Sequence, residues 1–296
     1  MAKYHYHIRS TSLPSTLHHP LTARVEEQLN KIRVELNENK SLDHYTTEML
    51  RDGLFGLKGL YESVEDLLKL PHTQQILVKQ CHDKWVDEVL DDSLRLLDVS
   101  CTTKDVLSRI KEAAQETQSA LRRRRSSPEG EIDLTGKKIA EHYMSSRKKA
   151  NKEVQKCLGE LKRAPGKKSS SLLLEKQQQD YVAVVNVLKQ VGDVTVTLYE
   201  SLLSRYKCAV PKTSCNGWSL VSKLMIKQNS RLLTRLTTAK DEDVQQIIKG
   251  RDGVARKPLE MLETSIQSLE EGLELVFRQL IKTRVSLLNI LSTNTN

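Results

Sequence analysis

Aromatic residues are scarce in this 296-residue chain, which has two Phe and two Trp beside eight Tyr. That scarcity excludes a stacking platform for single-stranded nucleic acid, and no recognised nucleic-acid reading module is present. Gly (12) and Pro (7) are too few for a fibrous or disordered chain. The cysteines Cys81, Cys101, Cys157, Cys208 and Cys215 are odd in number and widely spaced, with no CxxC. A disulfide framework or zinc knuckle is therefore not readable, and reduced intracellular thiols are expected. No run approaches ~18 consecutive apolar residues, so no transmembrane segment is expected. A secretory apolar segment is also lacking near the N-terminus. Walker A, GxGxxG, GxSxG, HExxH and EF-hand patterns are all missing. The expectation is a protein that is not an enzyme, with no cofactor and no metal.

What is present is helix-forming sequence. Scarce Gly and Pro with much Leu, Lys, Glu and Gln give an all-α expectation: an elongated multi-helix bundle. Residues 1–20 lack periodicity and read as a disordered tail. Residues 21–292 read as one helical domain, with N-terminal helices over 21–121, a basic linker over 122–135 and C-terminal helices over 136–292. Leu21, Val25, Leu29, Ile32 and Leu36 form the apolar face of a first helix. Ser41 is the candidate cap of a second, over 42–70, ended by Pro71. A third is expected over Thr73–Asp98 with Ile76, Trp85, Val89, Leu94 and Leu97 in the core. The cluster Ser100-Cys101-Thr102-Thr103 then breaks the chain and caps a fourth helix to Leu121.

A basic helix follows over 136–163. The stretch 172–206 is rich in β-branched residues and favours strand by propensity, but its polar residues fall at helical spacing. Helix is the reading. Shorter helices are expected over 219–236 and 242–249, and Pro258 suits the first position of the final one. There Leu259, Leu262, Ile266, Leu269, Leu273, Val276, Leu280, Leu287 and Ile290 follow steps of three and four, broken only by Thr283. This coiled-coil-like stripe is read as core packing within the chain's own bundle, against the alternative of a dimer zipper.

The formal charge of +9 is local. Residues 122–168 hold 15 Lys/Arg and six acids, and the rest of the chain balances with 32 of each. Candidate polyanion contacts are Arg122, Arg123, Arg124, Arg125, Arg147, Lys148 and Lys149. An anionic membrane surface is one partner such a field could take. The run RRRRSSP also fits a nuclear import signal or a basophilic kinase site at Ser126 and Ser127. Arg9-Ser10-Thr11-Ser12-Leu13-Pro14 matches the pattern read by 14-3-3 proteins when Ser12 is phosphorylated. A cytoplasmic location is expected. The nucleus stays open through the Arg run, and a plastid through the acid-free, Ser/Thr/His-rich stretch before Glu26.

Three blocks carry a resemblance: HIRSTSLPSTLHHPLTARVEEQLNKIR, KWVDEVLDDSLRLLDVSCTTKDVLSRIKE and LEEGLELVFRQLIKTRVSLLNILS. They resemble the plant Bypass-like family, from about His7 to Ser292. The resemblance implies a plant source, an all-helical fold and a role linked to root and shoot development. It implies no catalytic activity and supplies no ligand residues. The resulting expectation is a non-enzymatic protein that regulates by binding other proteins. The alternatives are a peripheral membrane protein using 122–168, and an enzyme with an unrecognised site.

Overall fold

A computed structural model describes residues 20–40, 46–79, 84–124, 132–162, 179–207 and 253–292. They form seven α-helices: α1 Pro20–Lys40, α2 Thr47–Leu68, α3 Pro71–Lys79, α4 Lys84–Arg124, α5 Ile132–Lys162, α6 Gln179–Tyr206 and α7 Gly253–Ser292. Among the described residues there is no strand. The all-α multi-helix bundle read from composition and periodicity is what forms.

Helix α2 starts after Thr46, whose own backbone is extended and whose hydroxyl accepts from the backbone N–H of Met49 at 3.3 Å. Thr46, not Ser41, is the cap. Pro71, which cannot continue α2, opens α3 at a position where no N–H is needed.

The expected break at residues 100–103 does not exist, because α4 runs unbroken for 41 residues. Two hydroxyls of that cluster are satisfied without leaving the helix. Ser100 is buried and accepts from the Tyr199 hydroxyl at 3.1 Å, and Thr102 donates to the Asp98 carbonyl one turn back. The expected single helix over Thr73–Asp98 is instead α3 and the start of α4. Leu94, expected in the core, is exposed, and Leu96 and Val99 are buried in its place.

The β-branched stretch is helical as α6. Thr195, Thr197 and Ser201 bond to carbonyls four residues back, and the valines pack between helices rather than across a sheet. Helix α7 begins at Gly253, so Pro258 lies inside it rather than at its first position. The expected helices over 219–236 and 242–249 lie outside the described residues.

Side-chain pairs set the helix directions. Thr47–Arg205 and Tyr61–Thr195 run α2 antiparallel to α6, while Glu88–Lys189 and Ser100–Tyr199 run α4 parallel to α6. Glu62–Gln279 and Glu65–Ser286 run α2 parallel to α7. Arg109–Glu153 and Glu116–His142 run α4 antiparallel to α5. One buried apolar cluster draws on all seven helices. All nine seam residues of α7 lie in it, facing α2 and α4.

Helices α4 and α7, each about 60 Å long by their residue count, are locked in one register by a polar ladder. Lys104 meets Glu274, Ser108 meets Glu270, Lys111 meets Gln267 and Glu270, and Gln115 meets Glu263. On each helix these residues recur at steps of three and four. The ladder therefore closes the outer flank of the seam as charged flanking positions do in a coiled coil.

Candidate interaction surfaces

The basic residues singled out in the sequence divide between surface, interior and undescribed chain. Arg122 and Arg123 are exposed on the last turn of α4, which extends through Arg124 instead of becoming linker at 122. Lys148 and Lys149 are exposed on α5. Arg147 is not a surface contact: it is 3% exposed, on the face of α5 that carries Tyr143, Ala150 and Val154 inward. Ser12, Arg125, Ser126 and Ser127 lie outside the described residues.

The outer face of α5 is richer in lysine than the selected residues alone suggested. Lys138, Lys149, Lys152 and Lys156 fall along one exposed stripe about 27 Å long, with Lys148 beside it. Glu141 and Glu160 are the acids on that arc, Glu160 standing 3.9 Å from Lys156. At its N-terminal end the stripe meets the end of α4 in an open cleft of ≈ 730 Å³. Glu112, Glu116, Arg123, Lys138 and His142 line the cleft. His142 Nδ1 lies 3.7 Å from Glu116, both side chains being exposed.

A second surface escaped the sequence reading. Leu94 on α4 and Ile281, Val285 and Leu288 on α7 are each 40–48% exposed. The α7 residues sit at steps of four and three, a second apolar stripe beside the buried seam. That wide apolar arc was the available signal. Arg284, between them, reaches across to the Leu90 carbonyl and the Ser93 hydroxyl of α4. The same flank of the α4/α7 pair is thus polar and paired from Lys104 to Gln115, and apolar and open around Leu94.

Inside the bundle, polar groups hold helices together. The Tyr61 hydroxyl bonds Thr195 at 2.9 Å and the Tyr199 hydroxyl bonds Ser100. Burial pushes both phenols far above their ordinary range, and pushes Tyr206 up to about 12. At neutral pH all three are uncharged. Burial likewise raises the Cys157 thiol to about 11, with Glu160 adding to it. Among the described residues, no group of three or more His, Cys, Asp or Glu could hold a metal ion. No described helix is long and apolar enough to cross a membrane.

Long helices in one register, a core held by neutral hydroxyl pairs and contact chemistry displayed on outer faces define a class: all-α bundle proteins built from extended helix pairs. Comparison with known families narrows it. The family model described as Protein BPS1 matches residues 53–290. The chain belongs to this family, the plant Bypass-like proteins. No curated protein and no solved structure matches the chain.

Proposed function

We propose that this chain is a non-enzymatic regulatory protein that acts in plant root and shoot development by binding other proteins, with the α4/α7 edge as its docking surface. The carrying observation is the exposed row Leu94, Ile281, Val285 and Leu288 on two helices whose register is locked. Scattered exposed apolar residues are ordinary on a protein surface. A row at three- and four-residue steps on a rigid pair offers anchors for an apolar helix face. The Tyr61 and Tyr199 hydroxyls support the same reading, since both are engaged in joining helices.

The test is developmental rescue in plants lacking their own copy. Leu94→Ser with Val285→Ser and Leu288→Ser changes only exposed side chains, so thermal unfolding is expected to hold while rescue is lost. Tyr61→Phe and Tyr199→Phe remove buried hydroxyls and are expected to rescue. The opposite pattern, with edge variants active and hydroxyl variants dead, would sink the reading in favour of chemistry in the core.

The lysine stripe of α5 favours a second reading, contact with anionic lipid. Protein interfaces favour Arg and aromatic anchors and are depleted in Lys, whereas a charged bilayer needs only point charges. Each lysine near an anionic leaflet contributes about 1 kcal/mol, and salt screens it. The full chain is expected to sediment with vesicles containing phosphatidylserine and not with pure phosphatidylcholine. Lys149→Gln/Lys152→Gln/Lys156→Gln should lose about a hundredfold in that affinity. Equal binding to both vesicle types, or an unaffected triple variant, removes this reading.

A further inference from the structure

The α4/α7 edge is self-complementary, and we propose that its occupant is a second copy of this chain, making a two-fold dimer in which α4 of each copy packs against α7 of the other. This rests on the reading of that edge as a docking surface and names the partner.

The argument starts from what flanks the apolar row. On the outer side of α4, one step beyond Leu94, stand the exposed acids Asp91 and Asp98. On the outer side of α7, one step beyond Ile281 and Val285, stand the exposed cations Arg278 and Lys282. Alongside the apolar row, the edge therefore has one acidic and one basic border. Arg278 also bonds Glu274 within α7, leaving most of its guanidinium in solvent. Asp98 and Lys282 take part in no ion pair among the described residues.

The borders discriminate between the two ways a two-fold axis can lie in the interface. An axis across the helices places α4 on α4 and α7 on α7, setting Asp98 against Asp98 and Lys282 against Lys282. An axis along the helices places α4 on the second copy's α7, antiparallel, with acidic border on basic border. Like charges directly opposed are unfavourable, so the second arrangement is selected.

That arrangement also has its register built in. The ladder sets residue 104 level with 274, 108 with 270 and 115 with 263. Continued along α4, it sets Asp98 level with Leu280, between Arg278 and Lys282. An axis along the helices keeps each residue at its own height, so Asp98 meets the gap between the second copy's two cations. Leu94, Ile281, Val285 and Leu288 from both copies then fill the centre, and the four helices form a bundle of the kind α4 and α7 already half build. Because the interface is isologous, every contact occurs twice.

The experiment is the mass of the full chain by sedimentation equilibrium, with variants read in parallel. The wild-type chain is expected to be a dimer, and Val285→Glu/Leu288→Glu a monomer with unchanged melting. Asp98→Lys alone and Lys282→Glu alone each place like charges in contact twice, weakening self-association about tenfold. Mixed together, the two chains set opposite charges against each other at both contacts, reversed in sign at one and native at the other, and are expected to form a heterodimer tighter than either variant's own dimer. A wild-type chain that stays monomeric at the highest concentration it tolerates overturns the proposal. So does a dimer indifferent to all of these substitutions, which would place the contact elsewhere. A dimer weakened by Asp98→Lys and Lys282→Glu but not recovered on mixing also overturns it. Loss of rescue by edge variants in a chain that proves monomeric would leave the docking surface standing and remove only the second copy as its occupant.

Discussion

Replacing Gly272 by alanine tests the packing of α7 on α2, because two opposing effects meet there at known distances. A Cβ at position 272 would lie 3.0 Å from the Leu54 Cβ and 3.0 Å from its Cδ1. Leu54 is fully buried, and its Cβ is fixed to the α2 backbone, so no rotamer change clears it. Relief requires the two helices to part by a few tenths of an ångström in the middle of the core. Overpacking of this kind costs about 1–3 kcal/mol, against about 1 kcal/mol gained by replacing glycine in a helix interior. The net expectation is a loss of up to about 2 kcal/mol, or up to roughly 8 °C in melting temperature for a domain of this size. Gly192, within α6, supplies the control, since a Cβ there meets nothing within 4 Å. Gly192→Ala should therefore gain up to about 1 kcal/mol by propensity alone. Urea unfolding of both variants, read by circular dichroism, gives the two values on one scale. A Gly272→Ala chain as stable as Gly192→Ala would show that α2 and α7 are not packed as closely as argued.

Two further outcomes follow from the polar contacts. Lys111 and Glu270 are largely buried in the α4/α7 ladder, whereas Arg256 and Glu260 pair on the surface of α7. Double-mutant cycles with Lys111→Met and Glu270→Gln should give a coupling of about 1–2 kcal/mol, against about 0.5 kcal/mol or less for Arg256–Glu260. Equal couplings would contradict the ladder's role in holding register. Tyr61, Tyr199 and Tyr206 have folded pKa values raised above those of the unfolded chain, so they favour folding fully below about pH 10. As pH rises from there towards 12 the unfolded chain releases their protons first, and stability should fall by about 4 kcal/mol per pH unit. Denaturant titrations across that range check the slope, and replacing all three by Phe should flatten it. An unchanged slope in the triple variant would refute the assignment.

Most of the helical architecture was legible in the sequence because its signal is periodic and local. The α7 stripe at steps of three and four was read as an interior seam, and all nine of its residues are buried. The helical reading of the β-branched α6 held for the same reason: polar spacing outweighed propensity. Boundaries were less legible where a hydroxyl cluster had two uses. Ser100 and Thr102 serve equally as a cap or as helix-interior residues that bond inwards or backwards. What decides for the interior is Tyr199, a residue 99 positions away. The candidate contacts divided along similar lines. Arg147 and Lys148 are adjacent and alike in charge, yet a 100° turn of helix sends one inward and the other to solvent.

By itself, then, the sequence determined the class: a bundle of long helices, a buried seam in the last of them and a positive excess confined to one stretch, with three long blocks that mark the family. Those properties depend on residues near one another in the chain. Tertiary structure alone decided which flank of the seam is sealed and which is open. The α4/α7 ladder joins residues some 150 positions apart, and only once its register is set does Leu94 come to lie outside, beside Ile281, Val285 and Leu288. An amphipathic pattern states how much of a helix is to be covered. What covers it depends on neighbours that only the folded chain brings alongside.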